Sequence, residues 1–331
     1  MKSSYAASML RRGTKPDWPA LLPLNGPWMV HLEPTAACNL RCRCCFHGDQ
    51  DNLRQTGFKK DFLEMELYKK TIEGVASMGA PTKTLRLFKA GESLLHPDFV
   101  EMVRFAKERL PDVAVVLRTN GVLLRPELNR QLIEAGLDQL EVSVNAMSTE
   151  GYNANTGVSV PFISLVDNVR DFYAQRKQCH VYVKATSQFF TEEDKKAFFE
   201  TFGDISDSIF LEHIAAVWAH FQSDAAEMQE QYGVRGEEIR VRKVCPFPFI
   251  MMAVNADGSV SPCANDWNRN VVIGDISAQT VEEIWNSAAF TELRKMHATG
   301  RKDETACGDC QFYAAVEDDF DAFAEELARK L

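Results

Sequence analysis

A chain of 331 residues, 45% of them hydrophobic, is long enough to bury one barrel-sized core and a smaller appendage. Its formal net charge of -10 lacks the basic footprint that non-specific binding to nucleic acid or an anionic membrane requires, so neither is expected as a partner. No segment reaches the roughly 18 uninterrupted apolar residues of a membrane span, and the expected partner is a small-molecule substrate or a short peptide.

Residues 1–27 read as an N-terminal extension. The pair Arg11 and Arg12 is not followed by a continuous apolar core, because Pro16, Pro19 and Pro23 interrupt it, so no export signal is expected. Residues 28–223 alternate short apolar runs with segments of helical periodicity, the pattern of repeated βα units. Strands are expected at 29–33, 84–89, 113–118, 139–144, 181–186 and 208–211, and helices at 64–78, 97–110, 125–135 and 166–176. Gly79, Pro111 and Gly136 lie just past three of these helices, where helix stops belong.

Six such units are too few for a closed eight-stranded barrel, so the expected class is α/β, a partial (β/α)6 TIM-like barrel, with a doubly wound sheet as the other arrangement. Both place chemistry at the C-terminal ends of the strands. Residues 224–244 are charged and helix-prone, and read as a connecting helix. Residues 245–315 contain a hairpin, 251–254 and 259–261, around the turn Asn255-Ala256-Asp257-Gly258. The end of the chain, 316–331, reads as an amphipathic closing helix.

The nine cysteines are clustered: four lie between 38 and 45, four between 245 and 310, and Cys179 stands apart. Without an export signal they belong in a reducing compartment, the cytoplasm, where thiols serve as ligands or catalysts more often than as disulfides. Cys38, Cys42 and Cys45 have the spacing C-x3-C-x2-C directly after the first expected strand. Three thiolates on one loop suit an iron-sulfur cluster with one iron left open. Zinc is the competing reading, although no second knuckle lies within the next hundred residues.

The run Glu-Pro-Thr-Ala-Ala-Cys-Asn-Leu-Arg-Cys-Arg-Cys-Cys-Phe from Glu33 to Phe46 resembles the signature of the radical S-adenosylmethionine (SAM) superfamily. The resemblance implies a 4Fe-4S cluster on Cys38, Cys42 and Cys45, with SAM on the open iron. It also implies an electron donor such as flavodoxin or ferredoxin. Cys44 departs from the family, which usually has an aromatic residue before the third cysteine.

Ala90-Gly91-Glu92 is similar to the family's Gly-Gly-Glu turn in degenerate form. Asn120, Ser143, Asn145 and Lys184, at or near strand ends, are similar to positions that line the cofactor pocket in relatives. Short polar groups there suit a ribose and a carboxylate.

Cys245, Cys263, Cys307 and Cys310, with Gly258 between the first two, resemble the truncated form of the SPASM extension called a twitch domain. That resemblance makes 245–315 an auxiliary iron-sulfur domain with a second 4Fe-4S cluster on four cysteines; a four-cysteine zinc knuckle is the alternative. Twitch-type dehydrogenases resemble this layout most closely, which points to two-electron oxidation of a sugar or aminocyclitol alcohol. Glu212 and His213, at the end of the sixth strand, are candidate bases for the hydroxyl proton. The alternatives are a maturase that cross-links or epimerises a ribosomal peptide, and a non-catalytic iron-sulfur or zinc-binding protein.

Overall fold

The computed structural model describes residues 4–5, 16–79, 81–213, 233, 240, 242–300, 307–308, 310 and 318–331. The helix expected over 224–244 lies outside the described residues apart from 233, 240 and 242–244. The strands in chain order are β1 (Ser4–Tyr5), β2 (Met29–Leu32), β3 (Thr84–Arg86), β4 (Ala114–Thr119) and β5 (Gln139–Val144), then β6 (His180–Thr186), β7 (Ser208–Glu212), β8 (Met251–Val254), β9 (Ser259–Ser261) and β10 (Gly274–Asp275). All ten form one sheet in the order β1-β7-β6-β5-β4-β3-β2-β8-β9-β10.

Strands β2 to β7 are parallel and follow one another in space as in sequence, each returning through a helix on the outer face. The result is the expected partial barrel, which does not close. Its outer-facing row is aliphatic: Val30, Leu32, Leu85, Val115, Leu117, Leu140, Val142, Val144, Val181, Val183 and Ile209 are buried in one cluster with helix residues such as Ile72, Val103, Leu132 and Val169. The alternate residues face inward and most are polar or charged, among them His31, Arg86, Arg118, Glu141, Ser143, Tyr182 and Lys184, with Met29, Val116 and Phe210 as apolar members. A TIM-type interior is ordinarily packed with branched apolar residues. This one is built around ionisable groups.

β8 and β9 form the expected hairpin, with Gly258 in the left-handed region at φ 88°. β8 also runs parallel to β2 over Met29 to Leu32, so the hairpin continues the barrel sheet rather than standing apart from it.

The helices not anticipated include Gln50–Gln55, Thr149–Thr156, Glu192–Phe202 and Ala288–Thr299. Their starts are set by local chemistry. Ser148 accepts a hydrogen bond from the Gly151 amide, and Thr191 and Asp194 form a reciprocal capping box. The closing helix is shorter than expected, a 3-10 turn at Asp321–Phe323 followed by Ala324–Lys330. Phe320 and Leu327 bury against Trp18 and Phe249.

Candidate active site and auxiliary-cluster centre

The first cysteine loop begins where β2 ends. Thr35 Oγ1 donates to the Asp61 carbonyl (2.8 Å) and accepts from the Ala37 amide (3.0 Å), which turns the chain towards Cys38. The Cys45 amide donates to the Cys42 carbonyl, and the Gly48 amide to the Cys45 carbonyl, so the loop is wound tightly on itself. A Cβ at Gly48 would sit 2.6 Å from the Cys42 carbonyl oxygen, a contact only glycine avoids.

Burial pushes the Cys38 thiol up to about 11. Burial and then the neighbouring thiols of Cys44, Cys45 and Cys38 hold Cys42 well above the usual range. Cys45 is raised by burial, with Cys44 and Cys38 adding to it. Cys42 and Cys45 thus lie within the field of the thiols around them, and all three are held protonated chiefly by burial. They become thiolates together only when a cationic metal centre takes up the charge.

The Ala90-Gly91-Glu92 turn is pressed against this loop. A Cβ on Gly91 would lie 2.2 Å from the Thr35 carbonyl oxygen and 2.4 Å from that of Ala37, and the Glu92 amide donates to the Ala37 carbonyl (2.8 Å). His47 Nε2 bonds the Ala90 carbonyl at 3.0 Å, tying the turn to the residues just past Cys45.

Glu92 is 3% exposed, and its carboxylate accepts from Thr119 Oγ1, the Asn120 amide and the Leu94 amide. Its side chain therefore faces the protein and joins the turns after β3 and β4. The Asn120 side chain is likewise engaged, donating to Asn39 Oδ1 (2.7 Å) and accepting from the Val122 amide. Ser143 and Asn145 differ. Both are partly exposed beside the end of β5, and among the described residues neither the Ser143 hydroxyl nor the Asn145 side-chain amide has a hydrogen-bond partner.

Lys184 and Glu212 pair at 2.5 Å on the inner wall, 13% and 15% exposed. Burial lowers the Lys184 ammonium below its ordinary value, against the pull of Glu212 and with the push of Arg118. His213 lies one residue further, outside the strand.

Residue patterning singled out neither Arg118 nor Glu141, yet they form the neighbouring pair: Arg118 Nε and Nη2 each lie 2.8 Å from Glu141 Oε2. Arg118 keeps 40% of its side-chain surface accessible although β4 is an inner strand of the sheet, whereas Glu141 is 1% exposed. The inner face of the sheet is therefore charged, with the Arg118 guanidinium accessible on it. The alternation Leu140, Glu141, Val142, Ser143, Val144, Asn145 carried this signal, since a parallel strand covered on both faces should be apolar throughout.

At the other centre, the hairpin brings Cys245 and Cys263 together. Burial raises Cys245 well above its range, helped by Cys263, Cys310 and Cys307; Cys263 reaches about 12 through burial, then Cys310 and Asp266. The four sulfurs thus sit within one another's field. Among the described residues no three donors form a group that could hold a single metal ion. Thiols alone make up the donor set, and that is the set iron-sulfur clusters take. Both cysteine sets fit iron-sulfur clusters, with three thiols at the first and four at the second.

An open parallel barrel whose first strand delivers a C-x3-C-x2-C loop onto a tightly packed glycine turn is the architecture of radical SAM proteins. Sequence comparison agrees: the family described as "Radical SAM superfamily" matches residues 32–183, and SPASM, an "Iron-sulfur cluster-binding domain", matches residues 245–311. The chain belongs to the radical SAM superfamily and is a radical SAM enzyme whose two matched domains carry 4Fe-4S clusters.

Its similarity extends to particular relatives. It is 26% identical over 329 residues to the AdoMet-dependent heme synthase of Methanosarcina barkeri (strain Fusaro / DSM 804), covering 87% of this chain and 89% of that protein. It is 23% identical over 283 residues to the S-adenosyl-L-methionine-dependent 2-deoxy-scyllo-inosamine dehydrogenase of Niallia circulans, covering 85% and 92%. The crystal structure of BtrN in complex with AdoMet and 2-DOIA superposes with a TM-score of 0.55 at 19% identity, over 89% of this chain and 97% of that one, which bears on the fold. Among the described residues no helix is long and apolar enough to cross a membrane.

Proposed function

We propose that the enzyme oxidises a secondary alcohol of a sugar or aminocyclitol to the ketone, with net loss of a hydrogen atom, a proton and an electron. The observation that carries this reading is the charged inner face of the barrel sheet, where Arg118–Glu141 and Lys184–Glu212 offer polar groups suited to a polyhydroxylated molecule. The likeness to an inosamine dehydrogenase supports it. When bound, the three-cysteine cluster with SAM supplies a hydrogen-abstracting radical, and the four-cysteine cluster supplies an electron acceptor.

The chain's own residues do the rest. Ala90, Gly91 and Glu92 shape the turn that receives the methionine moiety, and Asn120 holds the adjacent loop. Ser143 and Asn145 offer donors and acceptors to the nucleoside. Glu212, held in place by Lys184, takes the hydroxyl proton from substrate, and His213 is the second candidate. The proposed location is the cytoplasm, whose reducing conditions suit nine free cysteines, and the proposed electron donor is a flavodoxin or ferredoxin, with neither nucleic acid nor membrane as partner.

The test is anaerobic turnover of reconstituted, reduced protein with SAM and a panel of aminocyclitols deuterated at the carbinol carbon. Ketone formed in step with deuterated 5'-deoxyadenosine supports the proposal. Deoxyadenosine that forms only beside a modified peptide, with no ketone from any polyol, overturns it.

A further inference from the structure

The residues just after Cys263 reach back onto the cofactor loops of the barrel. The Trp267 indole stacks on Phe46, the residue following Cys45, with ring centroids 4.4 Å apart and planes at 17°; both rings are buried. Lys89 Nζ, at the head of the glycine turn, donates to the Asp266 carbonyl at 2.7 Å. Arg269 places Nη2 3.2 Å from Glu33 Oε2, and Nη1 2.6 Å from Asp257 and 3.2 Å from Asp61.

Glu33 is 1% exposed and also receives the amides of Ala90 (3.1 Å) and Ala256 (3.0 Å), so one carboxylate joins the first cysteine loop, the glycine turn and the hairpin. Arg269 does this from a left-handed backbone at φ 56°; among the described residues it is the sole non-glycine with positive φ. Such strain persists only where surrounding contacts over-determine it.

We propose that residues 266–269 form a strap, anchored by the auxiliary ligand Cys263, and that Trp267 and Arg269 are positioning residues for the SAM site. Affinity for SAM then depends on the auxiliary module, apart from any part that module takes in electron transfer. The three contacts converge on the two loops that hold the cofactor, and each comes from a different residue of the strap. The strap therefore sets the distance between Cys45 and the Gly91 turn. It does not add to the packing of the barrel's outer wall.

The test compares R269Q, R269K and W267L as cluster-loaded enzyme. SAM binding is followed by the change it causes in the electron paramagnetic resonance spectrum of the reduced cluster, beside KM and kcat for deoxyadenosine formation. R269Q and W267L should raise Kd and KM for SAM about tenfold, with kcat at saturating SAM within about twofold, and R269K should recover most of the affinity. In the metal-free chain, iodoacetamide labelling of Cys45 should rise severalfold in R269Q, while Cys179, buried before β6, stays protected.

Unchanged SAM affinity in R269Q would overturn the proposal, as would a fall in kcat with affinity intact, which assigns the segment to electron transfer instead. Labelling of Cys45 and Cys179 rising together marks general unfolding and has the same effect. R269K no better than R269Q overturns the ionic role of Arg269.

Discussion

Replacing Glu141 by Gln tests whether the charged interior is held by ion pairs. Burial alone would raise the Glu141 carboxyl, but Arg118 first, then Arg86 and Lys184, outweigh it and hold the group at about 2, against an ordinary 4.5. A tenfold gain in acidity on folding corresponds to about 1.4 kcal/mol, so the ionised carboxylate contributes about 3 kcal/mol to folding at neutral pH. Removing one member of a buried pair costs roughly 3–5 kcal/mol, and the accessibility of Arg118 places this case at the low end. For a chain of this size the expected fall in melting temperature is about 4 °C.

Because the folded-state value is depressed, the contribution is fully present above pH 4.5 and is lost as pH falls towards 2. Circular dichroism melts of wild type and E141Q should therefore differ at pH 7, and the difference should narrow below about pH 4.5. E141Q melting within about 1 °C of wild type at pH 7, or a gap that widens on acidification, refutes the assignment.

The triple variant C38A/C42A/C45A should form no 5'-deoxyadenosine and should drop from about eight irons per chain to about four, measured by metal analysis. Gly91→Ala drives a methyl group into the Thr35 and Ala37 carbonyl oxygens, so weakened SAM binding is expected together with a destabilisation of about 2 kcal/mol or more in a thermal melt. Glu212→Gln should cut ketone formation by about 100-fold while deoxyadenosine formation stays within a few-fold, read as the ratio of the two products. The same variant removes the group that raises Lys184, leaving burial and Arg118 to lower that ammonium further. Any basic limb in the pH–rate profile that reports Lys184 should then move to lower pH.

Much of this architecture is legible in the chain because the deciding signals are local. Cysteine spacing, the strand at 29–32 and the turn at Asn255 to Gly258 each rest on a few consecutive residues. The helices at Thr149–Thr156 and Glu192–Phe202 escaped because their apolar residues are gathered less sharply on one face and their starts depend on caps at Ser148 and Thr191. The pairing of β8 with β2 joins residues more than two hundred positions apart, which no local pattern reports. Glu92 illustrates a different limit. Its neighbourhood marked the cofactor loop, but whether the carboxylate faces ligand or protein is settled by the Thr119 hydroxyl and Asn120 amide that turn to meet it.

Sheet continuity from β2 into β8 has a consequence for truncation. Each end of the ten-stranded sheet finishes in a strand of two residues, too short to template another chain. A chain cut before residue 245 would strip β8 away and leave the full length of β2 with bare amides and carbonyls beside an apolar wall. Such a fragment should collect in inclusion bodies even though every strand of the barrel is still encoded in it.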